Sequence, residues 1–223
     1  LFNIAHDIKF PEVDQINEDS GRKYKTREGN IYPSVTTILG ANPIKKAYIR
    51  KWREKIGEEK ANAISKHATT RGSTVHKIME QYVDGETIDE SVMMPLTKFY
   101  YNTFKKNLNE NMDLIYCREQ RMYSDILRLA GQADLIGRWK GEAAVIDFKT
   151  STKRKTKSQI EDYFVQAAAY SIMFEEHQNI VTRKIIVLIG SDDGDFSIFE
   201  EDRNKYVDKL IKARDYYESI SKK

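Results

Sequence analysis

The chain has 223 residues, 40% of them hydrophobic and 11% aromatic, which suits one folded domain with a sizeable core and argues against global disorder. Its 37 basic and 34 acidic residues leave a net charge of +3, too balanced to name a partner by itself. The lone Cys117 excludes an internal disulfide and a Cys-based zinc or iron–sulfur site, and the longest aliphatic run, Ile185–Gly190, is too short to span a bilayer.

Residues 1–32 are polar, and "EDSGRKYKTREGN" carries turn signals, so a short irregular or hairpin start is expected. "YPSVTTILG" reads as a short helix capped by Ser34 or Thr36 and ended by Gly40. Pro43 opens a second helix, "IKKAYIRKWREKIG", which stops at Gly57. From Glu58 to Val83, Ala61, Ile64, Ala68, Val75, Ile78, Met79 and Tyr82 fall on one apolar stripe of a long helix. A further helix is expected at about 90–109.

The periodicity then changes. "DLIYCREQRMYS", "LRLAGQADLIGRW" and "AAVIDFKT" read as three strands, the last two joined by a tight turn at Lys140-Gly141. "KTSTKRKTKSQ" is a basic loop, and "EDYFVQAAAYSIMFEEH" is a nearly apolar helix. "RKIIVLIG" and "DFSIFEE" are two more strands split by the turn "SDDGD", and an amphipathic charged helix closes the chain. This order predicts an α/β sandwich with a helical N-terminal part, organised as a single domain over 1–223: residues 1–110 mainly helical, 111–223 a sheet core with a C-terminal helix. No secretory leader is visible, and an intracellular, reducing setting fits the cysteine usage.

The strand pair carries polar groups that a plain sheet does not need. Side chains alternate along a strand, so Asp147 and Lys149 share a face, about 7 Å apart, while Ile146 and Phe148 face apolar packing. If Asp134 on the neighbouring strand faces the same side, two carboxylates converge and repel. A hard divalent cation, Mg²⁺ or Mn²⁺, removes that repulsion. Lys149 then stands where it can orient a nucleophile and stabilise a pentacovalent phosphate. Taken singly, an Asp or a Lys on a strand is usually a solvated surface charge; the two acidic positions thirteen residues apart across a hairpin are what favour a site.

"GQAD…VIDFKTS" resembles the GxxD…(D/E)hhDhKT signature of the PD-(D/E)XK nucleases in their RecB-like branch. That branch also has a Gln and a Tyr four apart on the helix after the Lys strand, matched here by Gln166 and Tyr170. It has an upstream helix with Gly and His, matched by Gly72 and His76 in "RGSTVHKIMEQY". "YPSVTTIL" is similar to the segment that opens the mitochondrial genome maintenance exonucleases and related phage and bacterial nucleases. The motifs run in order over about residues 32–200.

The resemblance implies a restriction-endonuclease-like core, a mixed central sheet flanked by helices. It implies Asp134 and Asp147 as metal carboxylates, the Phe148 backbone carbonyl as a further ligand, and His76 as the helix histidine that approaches the metal. Lys149 is implied as the catalytic lysine, and Gln166 and Tyr170 as a pair that braces the site or touches DNA. Glu119 sits where many relatives have a strand Glu. On the residues alone, His76 lies about 100° from the centre of its helix's apolar stripe, where a hydrogen-bonded boundary histidine is the ordinary alternative. Gln166, in an otherwise apolar helix, has a packing hydrogen bond as its alternative. His6, His67 and His177 have no motif around them.

Basic side chains supply candidate nucleic-acid contacts. Lys153, Arg154, Lys155 and Lys157 directly follow the Lys149 strand and are placed to meet phosphates, and Arg71 lies beside Gly72. The helix "IKKAYIRKWREK" interleaves Tyr48 and Trp52 with Lys and Arg, a combination that suits single strands, where bases stack; an ordinary amphipathic helix with Trp52 inward is the alternative. The helical N-terminal half is expected to form an arch or wall over the site.

The resulting expectation is a Mg²⁺- or Mn²⁺-dependent deoxyribonuclease, an exonuclease on single-stranded DNA or DNA ends, in recombination, repair or replication. Alternatives are a structure-specific endonuclease or resolvase of the same fold, and a DNA-binding module without activity. The expected partners are DNA and, in some settings, a helicase or recombination protein, with no membrane and a monomeric state. The expected compartment is the cytoplasm of a bacterial or phage-infected cell, or the mitochondrion. No G-x-x-x-x-G-K-[ST], Rossmann glycine pattern or G-x-S-x-G occurs, which excludes those nucleotide-binding and serine-hydrolase signatures.

Overall fold

The computed structural model describes residues 2–221. Its centre is a six-stranded sheet built from β1 (Asn3–Ile4), β5 (Met112–Ser124), β6 (Leu129–Trp139), β7 (Glu142–Ser151), β8 (Lys184–Ser191) and β9 (Phe196–Asp202), in that spatial order. β1–β5 and β7–β8 are parallel and the other pairings antiparallel, so the sheet is mixed. The β6–β7 hairpin turns at Lys140 and Gly141, whose φ of 50° and 82° both lie in the left-handed region that a tight two-residue turn requires.

The polar start of the chain is strand rather than irregular coil. β2 (Val13–Glu18), β3 (Gly21–Thr26) and β4 (Ile31–Pro33) form a separate antiparallel sheet of three strands. It packs through Val13 and Tyr24 onto Tyr123 and Ala130, and a bridge between Ser34 and Ala130 ties it to β6. The helices of the first half therefore begin only at residue 35. They are α1 (Val35–Gly40), α2 (Pro43–Ile56), α3 (Glu58–Val83) and α4 (Pro95–Asn111), followed later by α5 (Glu161–Gln178) and α6 (Asn204–Ser221).

Local chemistry explains the helix ends. Ser34 caps α1 by accepting the Thr37 N–H, and Asn42 caps α2 by accepting from Ile44, with Pro43 in the first turn. Gly57, at φ 86°, breaks α2 from α3.

Two cores lie on opposite faces of the main sheet. On one face α1, α5 and α6 cover Val145, Ile185, Val187 and Ile189; on the other α3 and α4 cover Ile146, Phe148, Ile186 and Leu188. α5 is the parallel crossover from β7 to β8, and nine of its residues from Phe164 to Phe174 are buried, which accounts for its nearly unbroken apolar sequence. No helix among the described residues is long and apolar enough to cross a membrane.

The apolar stripe of α3 is buried only in its second half. Val75, Met79 and Val83 are core, whereas Ile64 is 44% exposed and residues 62–70 are all exposed. α2 buries no residue at all. α2 and the first half of α3 thus form a helical hairpin standing away from the body, its corner held by Arg53 on Glu58.

Candidate active site

The candidate site forms where β6 and β7 part. Their ladder runs from Trp139–Glu142 to Leu135–Ile146 and ends there; beyond it β6 pairs with β5 and β7 with β8. At the fork, the Asp134 side chain replaces the lost ladder bond: its Oδ2 accepts the Phe148 N–H at 2.9 Å. That bond fixes the carboxylate and leaves Oδ1 facing the Nδ1 of His76 at 3.4 Å.

Across the other edge of β6, Glu119 on β5 stands opposite Asp134, between the pairs Arg118–Leu135 and Gln120–Ala133. Glu119 has φ 43°, a left-handed conformation that costs a non-glycine residue about 1–3 kcal/mol and persists where surrounding structure imposes it. Gln132 Nε2 donates to Glu119 Oε2 at 2.7 Å, and Glu119 Oε1 lies 3.7 Å from His76 Nδ1. His76, Glu119 and Asp134 can each present one ligand atom, all within 4.8 Å of one another. Sequence reasoning left the role of Glu119 open; its only local signal was its place on a strand beside the GxxD strand.

Asp147 and Lys149 sit one notch along β7. Lys149 Nζ donates to Asp147 Oδ1 at 2.5 Å and also lies 5.2 Å from the centre of the Tyr163 ring. Asp147 is 1% exposed, and its Oδ2 has no hydrogen-bond partner. A buried carboxylate oxygen without a donor is costly, and it is the observation that fits a cation: a hard ion beside Asp134 and Asp147 would satisfy it. The carboxylate oxygens suit a hard divalent cation.

Electrostatics follow from this crowding. Burial pushes the Asp147 carboxyl up, Lys149 opposes that, and the Asp134 charge adds to it. For Lys149, burial favours the neutral amine, but Asp147 and Asp134 outweigh it and hold the ammonium above its ordinary range. Burial likewise pulls His76 down, while the Asp134 charge and the Glu119 carboxylate that accepts from its ring carry it up to about 9. The cluster therefore holds an excess of negative charge that draws cations.

Gln166 and Tyr170 meet each other, Gln166 Nε2 donating to the Tyr170 hydroxyl at 2.9 Å. Tyr170 is 3% exposed. Its ring lies on Gly131, the glycine of GxxD, where an added Cβ would come within 2.5 Å of Tyr170 Cε1. The Phe148 N–H, held by Asp134, is that residue's visible link to the site.

The candidate nucleic-acid residues divide. Tyr48 is 71% exposed on α2, whereas Trp52 is half-buried. Lys153 is exposed, while Arg154 and Lys157 pair with Asp195 and Glu201 and Lys155 is half-buried. The Arg71 side chain is 10% exposed and bound to Asp192 at 2.5 Å, which turns the guanidinium into the body rather than toward solvent. His177, left unassigned from sequence, bonds the Tyr123 carbonyl at 2.7 Å and is structural.

A family model described as the PD-(D/E)XK nuclease superfamily matches residues 96–216. No curated protein matches the chain. Among solved structures, the chain is similar to the "Putative exonuclease" of Eubacterium rectale, with 12% identity and a TM-score of 0.46 over 69% of this chain and 65% of that one. The likeness thus spans less than two thirds of that protein's length.

Proposed function

Because the chain belongs to the PD-(D/E)XK nuclease superfamily, whose model covers more than half of it, we propose that it is a divalent-metal-dependent deoxyribonuclease that degrades single-stranded DNA from an end. The carrying observation is the buried, unpartnered Asp147 Oδ2 beside Lys149, on the strand next to the His76–Glu119–Asp134 cluster.

In this reading His76, Glu119, Asp134, Asp147 and the Phe148 carbonyl hold the ion, Mg²⁺ or Mn²⁺. When bound, it supplies Lewis-acid charge at the scissile phosphate. Lys149 supplies a fixed ammonium beside the reacting phosphorus, where negative charge grows as the pentacovalent phosphate forms. Asp147 holds that ammonium in place, and the Phe148 N–H fixes the Asp134 carboxylate. Gln166 and Tyr170 brace the fork from behind.

The α2–α3 hairpin supports the end-directed reading. Residues 43–70 hold eight Lys and Arg against three Glu, with Ile44 and Tyr48 exposed among them. One foot of the hairpin, Lys45, bonds Asp162 at 2.8 Å, next to the Tyr163 that faces Lys149; the other foot is the helix that carries His76. A basic, aromatic wall with both feet at the site suits a strand that threads beneath it.

The test compares linear and covalently closed circular single strands of one sequence in Mg²⁺. The threading exonuclease shortens the linear strand and spares the circle. Equal cutting of the circle refutes threading and turns the reading to an endonuclease.

A further inference from the structure

Arg71 is the first residue of α3 after the exposed stretch whose side chain turns into the body, and its two partners lie on two other segments. Its Nε donates to Thr150 Oγ1 at 3.1 Å, on the residue after Lys149, and its Nη1 donates to Asp192 Oδ2 at 2.5 Å, just past the end of β8. The other Asp192 oxygen accepts the Tyr100 hydroxyl of α4 at 2.8 Å, and the Asp192 N–H donates to the Ser151 carbonyl at 3.0 Å. Tyr100 is fully buried, and its ring lies so close to Gly190 that a Cβ there would meet it at 2.4 Å.

We propose that Arg71, Asp192 and Tyr100 are an anchor that sets the height of His76 over Asp134. Arg71 is a positioning residue and not a nucleic-acid contact. The proposal rests on the metal-site reading above. His76 lies five residues beyond Arg71, about 7.5 Å along the helix axis. Between Ala61 and Val75 no side chain of α3 is buried, so Arg71 is what fixes the helix to the Lys149 strand where it enters the body. A strand pulling on the hairpin levers α3 about this point. Without the anchor, His76 is held over the carboxylates only by the packing of Val75, Met79 and Val83, and its place in the ligand set loosens. Arg suits the task because its rigid planar fork meets two acceptors in one fixed geometry, which the flexible ammonium of Lys does not impose.

The experiment is calorimetric titration of the full chain with Mn²⁺, for wild type, Asp192→Asn, Arg71→Lys, Arg71→Ala, the Arg71→Ala/Asp192→Asn double variant and His76→Ala. Asp192→Asn is expected to weaken Mn²⁺ binding by roughly 10–100-fold, as loss of an orienting partner around a metal site does, with Arg71→Lys between it and wild type. Arg71→Ala, which also loses the Thr150 bond, is expected to weaken binding at least as much as Asp192→Asn, and the double variant to match Arg71→Ala. Saturating Mn²⁺ should restore most cleavage in Asp192→Asn, which a general loss of fold would not allow. Wild-type Mn²⁺ affinity in Asp192→Asn overturns the anchor. Unchanged affinity in His76→Ala overturns the metal-site reading and the anchor with it. If Asp192→Asn melts out, Tyr100→Phe removes only the hydroxyl and carries the same comparison: weaker Mn²⁺ binding supports the anchor, and wild-type binding overturns it.

Discussion

Replacing Gly131 by Ala isolates what the glycine of GxxD does. The new Cβ would stand 2.5 Å from Tyr170 Cε1 and 3.2 Å from Cζ and the hydroxyl oxygen, all well inside van der Waals contact. Tyr170 is 3% exposed among Val165, Ala167 and Phe174 and tied to Gln166, so its ring has little room to withdraw. Overpacking of this kind costs about 1–3 kcal/mol, and the narrower unfolded ensemble of Ala returns about 0.4–1 kcal/mol, so a net loss of about 1 kcal/mol is expected. In a domain of this size that lowers Tm by about 2–4 °C. The assay is thermal unfolding by circular dichroism on Gly131→Ala, Tyr170→Leu and the double variant. Because Leu lacks the clashing ring edge, the double variant should recover most of the Gly131→Ala loss, a coupling that additive sites do not show. Gly72→Ala is the control: nothing lies within 4 Å of its Cβ position, so helix propensity should raise Tm. A Gly131→Ala melt at or above wild type, or additive behaviour in the cycle, refutes the reasoning.

Other consequences follow from burial and charge. Cys117 is buried and burial pushes its thiol up, so Ellman's reagent at pH 8 should leave it unmodified in the native protein and react fully in guanidinium; a fast native reaction contradicts its placement. Burial raises the Glu200 carboxyl, but hydrogen bonds from Lys140 and Trp139 pull it below 4.5 overall, so its contribution to stability is present above pH 4.5 and lost as pH falls through the lowered value. Glu200→Gln should therefore flatten part of the acid limb of Tm against pH, and an unchanged limb counts against this linkage. Tyr48→Ala should weaken single-strand binding by about 1–3 kcal/mol if bases stack on α2, measured by fluorescence anisotropy, while leaving Tm nearly unchanged; wild-type binding removes α2 from the substrate path.

The parts of the fold that sequence displays are those whose pattern is local. The β6–β7 hairpin shows its alternation and its Lys140-Gly141 turn, and α5 shows burial on all sides by having almost no polar residue. What escapes is decided by contacts from afar. The stripe through Ile64 and Ala68 is apolar, but periodicity reports a face and not whether anything covers it, and here nothing does. The β2–β4 sheet is legible only as a hairpin start marked by its turn signals; its short, charged strands gain their order from pairing and from Tyr24 packing on β5 and β6. Arg71 reads as a free cation because its partner Asp192 lies 121 positions away. Of the candidate site, Asp134, Asp147 and Lys149 are legible as motif residues, while the strained Glu119 is placed beside His76 by a backbone conformation that no residue type announces.

The central claim is metal-dependent phosphodiester hydrolysis at the β6–β7 fork. The direct measurement is the rate of cleavage of end-labelled linear single-stranded DNA in Mg²⁺ by wild type, Asp147→Asn and Lys149→Ala, each shown to be folded, with a parallel EDTA arm. The account predicts cleavage by wild type, loss of at least ~100-fold in each variant, and none in EDTA. Near-wild-type cleavage by either folded variant, or cleavage that survives EDTA, contradicts it.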